Sequence, residues 1–155
     1  MNQRNAMDPA TPAVQEFFNQ YARSRTVMDV DRIASQYADL CMFAGPDGAR
    51  VAERQAVLAG FPKALDLLKT VGHTSTKLLS LHETTVDDHY ALVGAQLVWR
   101  FEKAAAPPVE VKVESTFMLY TKDGVLRIVF QQEREDFWEA LRARGVLPAQ
   151  GQEGH

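Results

Sequence analysis

Residues 90–133 read YALVGAQLVWRFEKAAAPPVEVKVESTFMLYTKDGVLRIVFQQE, and their pattern indicates the main sheet of the fold. It contains runs of β-branched and aromatic residues that are separated by turn signals at Pro107-Pro108 and Asp123-Gly124. A similar run precedes it and ends at Asp87-Asp88. The pattern therefore predicts four consecutive strands in an antiparallel meander, at residues 73–86, 90–102, 109–120 and 125–133.

Alternation along these strands separates two faces of the predicted sheet. One face is apolar and is expected to cover the core. Its members are Ala91, Val93, Ala95, Leu97, Trp99, Phe101, Val111, Val113, Ser115, Phe117, Leu119, Leu126, Ile128, Phe130 and Gln132. The opposite face mixes apolar side chains such as Val98, Met118 and Tyr120 with charged ones, which is typical of a contact between subunits. We therefore expect a homodimer that forms through this outer sheet face.

The residues before the meander predict helices and one short strand. A first helix begins at Thr11-Pro12, where Thr suits the cap and Pro the first turn, and a second begins at Asp29. The apolar run of residues 40–44 predicts a brief strand that ends in the turn Gly45-Pro46-Asp47-Gly48. A helical stretch is expected to resume at Ala49, interrupted near Gly60 and Pro62, and a last helix covers residues 135–144. The fold class is therefore α+β.

Length and composition are typical of one globular domain. The chain has 155 residues, of which 46% are hydrophobic and 24% charged. We expect tails at residues 1–10 and 148–155 around a single domain at 11–147, because both ends lack apolar periodicity. The net charge of −3 and the scattered basic residues argue against nucleic-acid binding. The single cysteine and the polar N-terminus favour a cytoplasmic location, and no segment is apolar enough to predict membrane insertion.

The order of these elements resembles the nuclear transport factor two-like superfamily, which includes ketosteroid isomerase and the SnoaL-like proteins. The resemblance covers about Val14 to Leu141 and rests on the turn Gly45-Pro46-Asp47-Gly48 and on the segment Asp123-Gly124-Val125-Leu126-Arg127-Ile128. It implies a cystatin-like, cone-shaped fold, in which a strongly curved antiparallel sheet wraps the N-terminal helices and encloses a pocket. It also implies frequent dimers. Members differ widely in activity, so the fold alone does not identify a reaction.

The groups that ketosteroid isomerase uses are missing from the matching positions. That chemistry needs a carboxylate base and two donors, a tyrosine and a protonated aspartate. Gly45 stands at the base position, Phe17 at the tyrosine position, and Thr116 or Ser115 at the position of the second acid. Motifs for nucleotides, zinc proteases and serine hydrolases are also missing, and the histidine spacing does not predict a metal site. We therefore expect no cofactor and no metal.

Three hypotheses follow for function. In the first, a small, mostly apolar molecule binds in the cone, and the residues expected to contact it are Phe17, Tyr21, Phe43, His82, Trp99, Ser115, Phe117, Phe130 and Gln132. In the second, side chains fill the cone and the chain is a dimerising or adaptor module without catalysis. In the third, the chain is an isomerase or dehydratase that uses His82 together with Asp39 or Asp47. The sequence does not predict whether any reaction is catalysed.

Overall fold

The structure, a computed structural model, describes residues 9–148 and consists of four helices and six strands within that range. Of the predicted tails at residues 1–10 and 148–155, residues 1–8 and 149–155 lie outside the described residues. The helices are α1 (Pro12–Thr26), α2 (Val30–Ser35), α3 (Arg54–Thr70) and α4 (Phe137–Ala143). The strands are β1 (Tyr37–Gly45), β2 (Gly48–Glu53), β3 (His73–Thr85), β4 (Tyr90–Phe101), β5 (Val109–Lys122) and β6 (Val125–Glu133).

The six strands form one sheet in the order β2–β1–β6–β5–β4–β3. Strands β3 to β6 form the predicted antiparallel meander. The sheet as a whole is mixed, because β1 pairs with β6 in parallel. Register shifts interrupt the pairings β1–β6, β3–β4 and β5–β6. Such bulges bend and twist a strand, which lets the sheet curve around the helices.

The core lies between the inner face of the sheet, which faces the helices, and α1. Phe18 of α1 and Phe117 of β5 are both fully buried, with ring centroids 4.9 Å apart. Val93, Leu97, Val111 and Leu119 share this face, as the alternation predicts, and Leu141 and Val146 from the C-terminal segment join the same cluster. The N-terminal cap of α1 differs from the usual pattern, because the Thr11 hydroxyl donates to Glu83 Oε1 of β3 over 2.9 Å instead of capping its own helix.

The prediction of a helical stretch from Ala49 is wrong for its first five residues. Residues 49–53 belong to β2, which forms a hairpin with β1 through the turn at Gly45–Gly48. Ala52 is buried opposite Cys41, so β2 covers the core at this side of the sheet. The expected interruption near Gly60 and Pro62 does not divide this stretch into two helices. α3 is one helix with Pro62 inside it, and the proline ring lies on the exposed side.

Candidate functional site

A cavity of about 180 Å³ lies between the helices and the inner face of the sheet. Its apolar walls come from α2, α3, β4, β5 and α4. They are Ile33, Phe61, Ala64, Leu65, Leu68, Leu97, Trp99, Val113 and Phe137. Its polar groups come from α1 and from the neighbouring strands β1, β6 and β5. They are Tyr21, Arg25, Tyr37, Gln131, Glu133 and Ser115.

The polar groups are joined by a chain of hydrogen bonds that runs from a cation to an anion. Arg25 Nη2 donates to the Tyr37 hydroxyl over 3.0 Å, and this hydroxyl donates to Gln131 Oε1 over 2.7 Å. Gln131 Nε2 then donates to Glu133 Oε1 over 2.7 Å. Ser115 Oγ donates to the other carboxylate oxygen over 2.6 Å. Both oxygens of Glu133 are therefore held in place, one by Gln131 of the same strand and the other by Ser115 of the neighbouring strand β5.

Arg25 anchors the start of this chain at the end of α1. Its Nη1 donates to Gln36 Oε1 over 2.7 Å and to the carbonyl oxygen of Tyr21 over 3.2 Å. The guanidinium carbon lies 3.3 Å from the centroid of the Tyr21 ring, an arrangement typical of a cation–π contact. Among residues 9–148, no carboxylate lies within 4.0 Å of this buried cation. Neutral acceptors and the face of the Tyr21 ring surround this charge.

Burial raises the pKa of the Tyr21 hydroxyl well above its ordinary value, although the nearby Arg25 charge opposes this rise. Burial likewise raises the pKa of Tyr37, again against the opposing effect of Arg25. Both phenols therefore stay protonated at neutral pH. They can act as hydrogen-bond donors or as acids inside the cavity, but not as ready bases.

A groove at the β1–β2 hairpin lies next to the cavity and shares two lining residues with it. Glu133 and Phe137 line both, so they stand at the boundary between the two spaces. The groove is otherwise formed by residues 43–50 together with Asp136 and Trp138. Phe43 lies in this groove, with its ring centroid 5.6 Å from that of Tyr37. We call this surface the mouth groove.

Three of the nine residues expected to contact a ligand line the cavity: Tyr21, Trp99 and Ser115. Phe43 lies in the mouth groove. Phe117 lies in the core under the Tyr21 ring, with the centroids 5.4 Å apart, and does not line the cavity. Phe17 borders a different surface depression, next to Gln20 and Leu126. The cavity-lining prediction is therefore wrong for Phe17 and Phe117.

The predicted inward orientation of Phe130 and Gln132 is wrong, since both lie on the outer face, and His82, which was expected to contact a ligand, lies on that face as well. His82 pairs with Gly94, which pairs with Thr116, which pairs with Gln132, and this row alternates with the inward row that contains Phe117. His82 therefore stands on the other side of the sheet from the cavity. Asp39, one proposed partner of His82, is highly exposed and pairs with Arg54 over 2.9 Å.

The reversal in β6 comes from one extra residue. Leu119 pairs with Ile128, but Met118 pairs with Phe130, so Val129 forms a bulge and the side chains beyond it change faces. Gln131 and Glu133 then point inward in place of Phe130 and Gln132. The sequence pattern predicts neither of these two residues in the cavity, nor Arg25 and Tyr37. For Glu133 no local signal existed, because it begins a run of charges that is typical of a solvated helix start.

No group of three or more His, Cys, Asp and Glu side chains within residues 9–148 is arranged to hold a metal ion. No helix in the same range has the length and apolar character that crossing a membrane requires.

Comparisons with known proteins place the fold. The protein Aln2 from a Streptomyces species has 17% identity and a TM-score of 0.68, and the match covers 88% of this chain and 100% of that one. An NTF2-like protein with a cystatin-like fold from Novosphingobium aromaticivorans has 16% identity and a TM-score of 0.67, with 88% of each chain covered. A putative scytalone dehydratase from the same organism has 14% identity and a TM-score of 0.63, with 79% of this chain and 80% of that one covered.

At these identities the likeness concerns the fold alone. No protein with a curated description matches the chain. The model of one protein family, described as NTF2-like protein (DUF6841), matches residues 10–136, which include nearly all of the helices and strands described above. The cystatin-like fold that the sequence resemblance implies is thereby confirmed, and the chain belongs to this NTF2-like family.

Proposed function

We propose that the chain binds a small, mostly apolar molecule in the cavity. The observation that carries this proposal is the unequal distribution of polarity, because nine apolar side chains form most of the wall. The six polar side chains are Tyr21, Arg25, Tyr37, Ser115, Gln131 and Glu133. A preformed apolar pocket with a few polar groups is the usual form of a small-molecule site. A dry cavity of about 150 Å³ can hold benzene, so about 180 Å³ suits one substituted six-membered ring.

A ligand test should separate this proposal from the alternative of a filled cone. We expect benzyl alcohol to raise the melting temperature of the wild type, because binding to the folded state stabilises it. Ala64→Phe places a ring into the cavity and should abolish the rise. Ala59→Phe is the matched control, since Ala59 lies on the exposed side of the same helix, and should leave the rise intact. Differential scanning fluorimetry across a ligand series measures all three.

Failure of benzyl alcohol and of similar ring compounds to shift the wild-type melt would favour the filled cone. A rise that persists in Ala64→Phe would show that the ligand binds elsewhere.

We further propose that two copies of the chain associate through the outer face. One row of side chains crosses five neighbouring strands in register and is apolar throughout: Val51, Met42, Phe130, Met118 and Leu92. Val51 and Met42 are 57% and 40% exposed, so part of this row contacts water in the single chain. The flanking positions Lys112, Glu114 and Arg127 carry charges of both signs. A two-fold contact opposes a surface to itself, and a patch of mixed sign can complement its own copy.

Light scattering at micromolar concentration tests the dimer. We expect twice the chain mass for the wild type and the mass of one chain for Met118→Glu, because a buried carboxylate at the centre of the apolar row has no partner. Lys63→Glu, on the exposed side of α3, should stay dimeric. A wild type of single-chain mass, or a Met118→Glu protein that remains a dimer, contradicts the proposal.

A reaction in the cavity would use Glu133 and the two tyrosines, Tyr21 and Tyr37, which line it, and not His82, which lies on the other face of the sheet. Glu133 is a carboxylate at the boundary of an apolar space, and Tyr21 and Tyr37 are protonated donors in the same space. The putative scytalone dehydratase of similar fold does not extend its activity to this chain at 14% identity. Binding, and not a particular reaction, is therefore the function proposed.

A further inference from the structure

Glu133 lines both the cavity and the mouth groove, so a ligand in either space would contact the same carboxylate. Of the residues that line the cavity, only Glu133 and Phe137 also line the groove. Glu133 is half-buried and forms no ion pair with any side chain in residues 9–148. Its negative charge is thus available to a ligand without displacing a protein cation.

The carboxylate of Glu133 can accept more hydrogen bonds than its protein neighbours donate to it. Gln131 occupies one acceptor position on Oε1 and Ser115 occupies one on Oε2. An ionised carboxylate has about four acceptor positions, so roughly half of them remain for a ligand. The two bonds also fix the direction of the carboxylate, because Gln131 and Ser115 are themselves held on neighbouring strands. A ligand therefore meets a rigid acceptor.

The donor side of the same network is already engaged inside the protein. Arg25 donates to the Tyr37 hydroxyl and to Gln36, and Tyr37 donates in turn to Gln131. The bonds from Arg25 Nη2 through Tyr37 and Gln131 run toward Glu133, whereas the bond from Arg25 Nη1 to Gln36 runs away from it. An anionic ligand would have to compete with these bonds for the cation, whereas a ligand with donors finds an acceptor that is open.

The charge of the mouth groove favours the same kind of ligand. Its lining carries the carboxylates of Asp47, Glu133 and Asp136 and a single guanidinium, that of Arg50. Arg50 lies over the Phe43 ring, 5.4 Å from its centroid. The excess of negative charge attracts a cation to this groove, next to Glu133, and repels an anion.

We propose that the cavity selects a ring-sized ligand that carries a protonated amine, with the ammonium group bound to Glu133 and the ring packed among the apolar walls. This selectivity rests on the proposed binding function and adds the charge of the ligand to it. The amine donates to the free positions of the carboxylate from the apolar side, and Trp99 and Leu97 lie on the wall available to the ring.

Three probes with one ring and different head groups test the selectivity: benzylamine, benzyl alcohol and benzoate. Isothermal titration calorimetry at pH 7 should show that the wild type binds benzylamine at least tenfold more tightly than benzoate, since a hydrogen bond to a charged group contributes more than a neutral one. Glu133→Gln should bind benzyl alcohol still and lose the preference for the amine. Glu135→Gln, which removes the same charge from an exposed site that contacts Arg144, should keep the preference.

The outcomes separate the selectivity from the binding function. Binding of benzyl alcohol together with benzoate as tight as benzylamine overturns the amine selectivity and leaves ligand binding standing. No binding of any of the three probes overturns both. A preference for the amine that survives in a folded Glu133→Gln protein, verified by circular dichroism, overturns the assignment to Glu133. The wild-type comparison requires no variant, so the selectivity is testable even where Glu133→Gln fails to fold.

Discussion

Arg25→Met is expected to lower the free energy of unfolding by about 3 kcal/mol or more, because buried acceptors lose their donor. Arg25 is only 5% exposed and donates to the Tyr21 carbonyl oxygen, to Gln36 Oε1 and to the Tyr37 hydroxyl. Methionine retains an apolar stem over the Tyr21 ring, so the variant removes the donors and the charge with little change in volume. Urea denaturation followed by circular dichroism measures the loss.

The matched control is Arg23→Met, two residues earlier in α1. Arg23 is exposed, and its replacement should change the free energy of unfolding by less than about 0.5 kcal/mol. Equal effects of the two substitutions would mean that the hydrogen bonds of Arg25 contribute nothing beyond those of a surface arginine.

Gly72→Ala is expected to destabilise the fold by about 3 kcal/mol or more. Gly72 joins α3 to β3 with φ of +97°, a conformation that L side chains rarely adopt. A methyl group here would also clash with the carbonyl oxygen of Glu102, at the end of β4. The backbone cannot simply move aside, because Glu102 N donates to the Gly72 carbonyl oxygen over 2.8 Å. The strained dihedral alone costs about 1 to 3 kcal/mol, and the clash adds to it.

Gly60→Ala should have the opposite sign. Gly60 lies inside α3, where an added methyl group meets open space. Alanine is the better helix former by about 0.5 to 1 kcal/mol, so the free energy of unfolding should rise by that amount. Urea denaturation of both variants checks the pair. A loss of stability in both, or a Gly72→Ala protein as stable as the wild type, would contradict this account of the two glycines.

The meander and most of its inner face follow from the local sequence pattern. Alternation along β4 and β5 places Val93, Leu97, Val111 and Phe117 inward, and all four are buried. The Asp123-Gly124 turn also follows from local chemistry, since both residues adopt positive φ, as a tight two-residue hairpin turn requires. These features depend on neighbours in sequence and on the two-residue period of a strand, which the sequence displays directly.

The strand β2 could not be distinguished from a helix in this way. Residues 49–53 read ARVAE, a segment whose local preferences suit a helix as well as a strand. The segment becomes a strand because the turn at Gly45–Gly48 folds it back along β1, whose outer edge would otherwise be unpaired. The pairing with β1, and not the local preference of the five residues, therefore makes this segment a strand.

The position of the polar side chains in the cavity likewise depends on contacts that the local sequence does not display. The bulge at Val129 places Gln131 and Glu133 on the inner face and moves Phe130 and Gln132 to the outer face. Valine is an ordinary strand residue, so its identity does not indicate the bulge. Arg25 looks like an ordinary basic residue in the last turn of a helix until Gln36 and Tyr37 are folded against it. A register shift and a buried charge depend on which strands and helices meet, and the free energy that fixes them comes from contacts between residues far apart in sequence.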